Sequence, residues 1–464
     1  MMPLLMQQLL ELLMMEQDWS SEFMEMKELS NLLQQNGIVG AGGAGFPTYA
    51  KLNENAETII LNCAECEPLL RLHRQLLEKH AREIVSTFHM MGQTMGSKDI
   101  VIGIKKAYKK AIEALNEVIG DYKGVRLGLL DEVYPAGDEV VLIYEVTGKV
   151  VAPGGLPIQS GVAVFNVETV YNVYRAMKKD TPVVDKLVSV VAEVGNPVTV
   201  RVPLGCTIEE VVALAGGPTT KNAVYFIGGP MMGSIGSGAQ PVTKTTNAVL
   251  VLPEDHLIIQ KKKSNSSIDL KRAAASCCQC TMCTDLCPRH LLGHPIEPHK
   301  FMLAATCKNI QDTDSFINTM FCCSCGLCEL YSCMQGLSPR SLMAEYKVGL
   351  RNNGIKPPQG VIPKPVGPER EYRKVPMERL MARLDLAKYN KEAPLQDEVV
   401  EMKKVRIMLS QHIGAPAVAI VKAGDKVERG QMIAEPGKGL SVAIHASISG
   451  TVTEVSDKFV IIEK

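Results

Sequence analysis

Short apolar runs and helical periods alternate along the first part of the chain. "TIILN" (58–62) and "DIVIGIK" (99–105) are nearly unbroken apolar runs, the mark of buried strands, and "VRLGLL" (125–130) reads as another strand. "AYKKAIEALNEVIG" (107–120) spaces its apolar residues three and four apart, which predicts an amphipathic helix. Strand and helix in alternation predict an α/β domain on a mostly parallel sheet over residues 27–194. The pattern changes over 195–255. There "NPVTVRVPLGCTIEEVVALAGG" reads as strand, turn and short helix, and "AVYFIGGPMMGS" as a strand entering a glycine turn, together a small β-rich module.

"KKKSNSS" (261–267) is a polar linker by composition, and residues 268–352 are helical stretches around cysteines. Pro357, Pro358, Pro363, Pro365, Pro368 and Pro376 make 353–403 an extended connector. From 404 to 464 every signal is β, as in "AIVKAGDKVERGQMIAE" and "AIHASISGTVTEV", which predicts a barrel-sandwich of the lipoyl-carrier type. Its Lys438 lies between two glycines without a carrier's flanking residues, so the module reads as structural or docking. The fold class is therefore multidomain, α/β plus β.

Residues 1–26 form an extension. In "MMPLLMQQLLELLMM", Leu5, Met6, Leu9, Leu12 and Leu13 share one helical face, with Gln7, Gln8, Glu11 and Asp18 opposite. The stretch has no basic leader and no small-residue cleavage site, and its polar residues interrupt any membrane span. Without Lys or Arg it suits a protein groove better than an anionic membrane, either on its own domain or on a docking partner.

Composition narrows the function. Fifty basic and fifty acidic residues cancel, and one Trp with 5% aromatics leaves little for base stacking, which argues against nucleic-acid binding. Most of the 14 cysteines crowd between Cys277 and Cys333 in a chain of 464 residues. That suits metal binding in a reducing compartment, not a disulfide scaffold.

"CCQCTMCTDLCP" places Cys277, Cys280, Cys283 and Cys287 before Pro288, the C-x2-C-x2-C-x3-C-P run of bacterial ferredoxins. "CCSCGLCELYSC" places Cys322, Cys325, Cys328 and Cys333 at spacings of two, two and four, with Met334 where proline usually stands. Three thiolates two residues apart wrap one loop around a cuboidal cluster, and a fourth from further along closes it. In two-cluster ferredoxins that fourth cysteine ligates the other cluster. This groups Cys277, Cys280 and Cys283 with Cys333, and Cys322, Cys325 and Cys328 with Cys287, for two [4Fe-4S] clusters. Zinc sites use separated C-x2-C knuckles instead. Cys278 and Cys323 are out of register and read as bystanders, and Cys206 and Cys307 as small buried hydrophobes. Paired clusters are a one-electron wire, and a nicotinamide donor feeding them requires a flavin to split the electron pair.

"GIVGAGGAGFPTYAKL" (37–52) is glycine-dense but follows no convincing strand, so it is a turn or a backbone cradle for phosphate, with Lys51 adding charge. "NCAECEP" (62–68) puts Cys63 and Cys66 in C-x-x-C spacing among carboxylates, which raises a dithiol reading as well as a ligand-lining one.

"GAGGAGFPTYAKL", "NCAECEP" and "YPAGDEVVLIYEVTGKVVAPGGLPIQSGVAVFNVETVYNV" (134–173) together resemble the flavin-binding subunit of respiratory complex I, and more closely the C subunit of Rnf-type electron-transport complexes. The sixty-residue module resembles an SLBB domain, followed by a ferredoxin-like insert as in that family. The barrel-sandwich comes last here and first in Rnf C subunits. That order is similar to the cobalamin reductases of propanediol-utilising bacterial microcompartments. The resemblance implies FMN cradled by Gly40, Gly42, Gly43, Gly45 and Lys51. It implies Asn62 and Glu65 along the flavin, Glu67 near NADH, and walls from Tyr134, Gly137, Glu139, Asn166 and Glu168. Ala41 and Ala64 depart from the complex I pattern, which has Arg and Asp there. The implied path runs from NADH through FMN and the clusters to a corrinoid. Alternatives end on a ferredoxin, a flavodoxin or a radical-enzyme activase, or make the chain a non-catalytic wiring subunit. A microcompartment shell protein or an adenosyltransferase is the implied partner, and the implied location is cytoplasmic, inside or at such a shell.

Overall fold

The computed structural model describes residues 24–263 and 265–464. The expected N-terminal amphipathic helix lies outside the described residues. Strands β1 (Thr58–Asn62), β2 (Asp99–Lys105), β3 (Val125–Leu130) and β5 (Val162–Asn166) form a parallel sheet in the order β3-β2-β1-β5. The apolar runs named above are these strands, and their side chains pack between helices Leu72–Thr94 and Val167–Lys178 on one side and Glu139–Thr147 on the other. β4 (Val133–Tyr134) stands apart from this sheet.

Five strands of a six-stranded mixed sheet follow, β6 (Asp185–Ala192), β7 (Val198–Pro203), β8 (Ala223–Ile227), β9 (Ser234–Gly236) and β10 (Ala248–Pro253). β6 thus comes from the stretch read as part of the first domain. The proline-rich connector has neither helix nor strand over 355–367, then gains structure. β11 (Val375–Pro376) pairs with β4, helix Met377–Arg383 buries Met377 and Leu380, and β12 (Leu395–Val399) joins the edge of the six-stranded sheet beside β7. Asp397 on β12 is held there by Arg201, Lys79 and His80. The linker at 261–267 is likewise shorter than composition suggests. Helix Leu257–Lys262 takes in its first two residues, and the Asn265 side chain caps helix Ser266–Ser276 by accepting from the Ser267 N–H.

The last domain is all β, from β13 (Lys404–Met408) through β14 (Val418–Ala419), β15 (Lys426–Val427), β16 (Met432–Glu435), β17 (Ile444–His445) and β18 (Gly450–Val455) to β19 (Phe459–Glu463), in two small sheets. It does not hang free, because one apolar core runs from Leu29 and Ile59 through Val200 and Val211 to Ile433 and Ile462. Asp185 pins the same junction. Its buried carboxylate pairs with Arg175, Arg201 and Arg429, one from each unit. Burial alone would raise its pKa, but Arg175 and Arg201 draw it down to about 2. Among the described residues no helix is long and apolar enough to cross a membrane.

Candidate functional site

Asn62 and Asn166 end neighbouring parallel strands side by side, at the carboxyl edge of the first sheet. Ligands of open α/β sheets bind outside such edges. The edge opens on a cleft of about 900 Å³ lined by Gly40, Gly42, Gly43, Gly45, Lys51, Asn62, Gly137, Glu139, Asn166 and Thr169, among others. The glycine-rich loop is closed by Gly40 N–H donating to Phe46 O (2.9 Å) and tethered by Ala41 N–H to Thr169 Oγ1 (3.0 Å). Side chains are excluded at Gly42 and Gly45. A Cβ on Gly42 would lie 2.5 Å from Asn166 Nδ2, whereas at Gly43 the space is open. Lys51 Nζ reaches Glu139 (3.2 Å) and Val164 O (3.0 Å). Asn166 caps helix Val167–Lys178 by accepting from Glu168 N–H (2.9 Å), so the positive end of that helix faces the cleft. A backbone cradle of glycines and alanines, beside a helix N-terminus, fits the phosphate end of FMN.

Gly137 makes the opposite wall. Its carbonyl accepts from Asn62 Nδ2 (2.9 Å) and its N–H donates to Cys66 Sγ (2.7 Å). Cys66 is therefore a hydrogen-bond acceptor, and burial pushes its thiol up to about 12. Cys63 packs in the core, and both thiols are free, so the dithiol reading is set aside.

Four of the expected residues lie behind the cleft and do not line it. Glu65 is buried and accepts from Leu72 and His73 N–H at the start of helix Leu72–Thr94. Glu168 pairs with buried Lys186. Glu67 crosses to the second sheet, where its carboxylate accepts from Met231 N–H (2.8 Å) and Met232 N–H (3.0 Å) over Gly229. Desolvation lifts its pKa to about 7 although the two N–H groups pull it down. The Tyr134 hydroxyl donates to the Cys325 carbonyl (2.6 Å) and so joins the flavin domain to the cysteine region.

The cysteines form two nests. Cys277, Cys280 and Cys283 share a cavity with Cys333, and Cys322, Cys325 and Cys328 share another with Cys287. Both runs use the same backbone device. Gln279 and Thr281 in the first, and Ser324 and Gly326 in the second, all have positive φ at matching positions, and the three cysteines of each run line one cavity. The extra residue before Cys333 is taken up by a π-helical turn at Leu327–Tyr331, with Ser332 N–H donating to Leu327 O (2.8 Å). Sulfurs receive donors from Ser324 N–H, Leu337 N–H and Gln279 Nε2, each at 3.3 Å. Each lining holds five cysteines, the four expected ligands together with Cys278 in the first nest and Cys323 in the second, and no carboxylate, a donor set that fits [4Fe-4S] clusters. The nests differ in place. Cys287 and Cys328 are buried, and Arg289 beside them pairs with Asp138, the neighbour of Gly137, at 2.9 Å. Cys278 and Cys280 are exposed. Cys307 is exposed too, because it ends helix Pro298–Thr306 at the surface, contrary to its reading as a buried hydrophobe.

Four family models match the chain in order. They are the Nuo51 FMN-binding domain (33–175), the SLBB domain (187–234), a 4Fe-4S dicluster domain (276–338) and the RnfC barrel sandwich hybrid domain (386–464). Fold and site thus define an oxidoreductase that carries FMN and two iron–sulfur clusters. More particularly, the chain belongs to the family of the cobalamin reductase PduS. It is 41% identical to that protein of Salmonella typhimurium (strain LT2) over 435 residues, 93% of this chain and 95% of the relative. With the Citrobacter freundii protein it shares 39% identity over 427 residues, 91% and 93% of the two. An NAD+-reducing [NiFe]-hydrogenase chain superposes at a TM-score of 0.48 with 17% identity, over 72% of this chain and 64% of that one, too loosely to add to this.

Proposed function

We propose that the chain draws electrons from NADH and delivers them to the cobalt of a corrinoid. The observation that carries this is that the segment walling the cleft also reaches the buried nest: Gly137 is bonded to Cys66, Asp138 is paired with Arg289, and Tyr134 is bonded to Cys325. Bound in the cleft, FMN converts a hydride's electron pair into single electrons that [4Fe-4S] clusters carry. The chain's own part is positional. The glycine loop and Lys51 hold the phosphate end, while Asn62 and Gly137 fix the wall against which the ring rests. No side-chain acid or base is needed for hydride transfer, so the protein's tasks are orientation and exclusion of water.

The buried nest, Cys287 with Cys322, Cys325 and Cys328, is the nearer receiver, and the exposed one, Cys277, Cys280 and Cys283 with Cys333, is the exit. The corrinoid as acceptor rests on the relatives' name, cobalamin reductase. Anaerobically purified protein is expected to show flavin and iron–sulfur absorbance and to reduce cobalamin with NADH faster than it reduces flavodoxin or ferredoxin. Faster reduction of the protein carriers would move the acceptor to that class. Residence in a bacterial microcompartment belongs to the same reading. Residues 1–18 fused to a fluorescent protein are expected to enter shells, and uniform cytosolic fluorescence would contradict it.

A further inference from the structure

The flavin cleft has a charge problem. Its lining contains one cation, Lys51, and one anion, Glu139, and these two are paired at 3.2 Å. A phosphate monoester brings between one and two negative charges. The loop's N–H groups and a helix N-terminus supply only partial charge against it.

A buried lysine lies against the start of the loop. Lys244, in the turn before β10, is 2% exposed, and its Nζ donates to Gly37 O (2.7 Å) and Ala443 O (3.1 Å). Gly37 opens the glycine-rich loop, and a Cβ there would strike the lysine's Nζ. The groups around it come from three units. Gln411 Oε1 accepts from the Lys244 N–H, Ile413 N–H donates to Gly45 O, and a Cβ on Gly45 would lie 2.9 Å from Thr245 Cγ2 and 3.1 Å from His412 Cα. The titratable neighbours are His412 and His445, which leave His412 Nε2 and His445 Nδ1 buried without a partner. Among the described residues no carboxylate offsets this lysine, and burial lowers its pKa to about 7. A buried ammonium satisfied only by carbonyls is costly unless an anion shares its surroundings.

We propose that Lys244 is a positioning residue for the flavin nucleotide, supplying from behind the glycine-rich loop the positive charge that its phosphate requires. This rests on the FMN reading of the cleft. It also gives the C-terminal barrel-sandwich a task, since Ala443 and Gln411 hold the lysine in place.

The test compares FMN with riboflavin, which has the same ring and no phosphate, by quenching of flavin fluorescence on deflavinated protein. Lys244→Met and Lys244→Gln, the latter keeping a donor toward Gly37 O, are each expected to weaken FMN by about tenfold or more and riboflavin by less than about twofold. Iron content and thermal midpoint report that each variant is folded. Equal weakening of both ligands would make the lysine a structural support and overturn the proposal, as would no change in either. If neither variant folds, wild-type protein decides. FMN affinity relative to riboflavin should fall as pH rises from about 7 to about 9, where the phosphate's charge is constant and the two histidines are neutral. A flat ratio would overturn the proposal. Wild-type protein that binds no FMN at all would instead refute the flavin reading itself.

Discussion

Adding one methyl group at Gly137 tests the cleft wall. A Cβ there would stand 1.9 Å from Ala64 O and 2.9 Å from Cys66 Sγ. Ordinary carbon–oxygen contact is near 3.2 Å, so the two backbone segments must part by roughly 1 Å. Overpacking of this kind costs about 1–3 kcal/mol. The parting also stretches the Gly137 N–H···Sγ bond and the Asn62 Nδ2–H···O bond, worth about 0.5–1.5 kcal/mol each. The sum is about 2–6 kcal/mol, borne at the wall against which the flavin ring is to rest. Gly137→Ala is therefore expected to lower the thermal midpoint and weaken FMN at least about tenfold, since 1.4 kcal/mol is one decade. Iron content should stay at the wild-type level, because both nests are built from other segments. Cys66→Ser, which keeps an acceptor and adds no bulk, should lose far less. Gly137→Ala protein that binds FMN within about twofold of wild type would refute the reasoning.

Gly229→Ala would place a Cβ 2.1 Å from Glu67 Cγ, whose carboxylate is fixed by two N–H groups; the expected loss is about 1–3 kcal/mol by chemical denaturation. Cys333→Ser is expected to abolish the exposed cluster, not the one held by its own run, so electron paramagnetic resonance should retain the signal that Cys287→Ser removes. Lys244 predicts a pH dependence of stability. Its folded pKa is depressed to about 7 from 10.5, so the unfolded chain binds more protons between those values and stability rises with pH across that window. Lys244→Met should flatten this rise in the difference between the two unfolding curves, and identical pH profiles would contradict it.

β1 and β2 were legible because each is covered on both faces and so reads as an unbroken apolar run, whereas β3, at the sheet edge, leaves Arg126 and Leu129 exposed. The nests were legible because ferredoxin spacing is a local property of the chain, and the swapped fourth cysteines follow from it. What escaped were partnerships formed at long range. Nothing local marks Glu67 as the ligand of a turn 164 residues away, or Tyr134 as a donor to Cys325. Proline density hid β11 and β12, whose partners β4 and β7 lie far upstream. Lys244 sits in an unremarkable "TKTT", and only folding brings Gly37 and Ala443 to it. The C-x-x-C of "NCAECEP" misled in a different way. Its spacing is that of a dithiol, yet the two side chains serve opposite sides of a loop, one in the core and one toward Gly137.

The central claim is that one chain takes electrons in pairs from NADH and hands them on singly to a corrinoid. Anaerobic mixing of NADH, fully loaded protein and cob(II)alamin, followed by absorbance, measures this directly. The account predicts loss of one NADH for every two corrinoids reduced, abolished by Cys325→Ser. Protein that is replete in flavin and iron yet oxidises no NADH, or oxidises it and reduces no corrinoid, would contradict it.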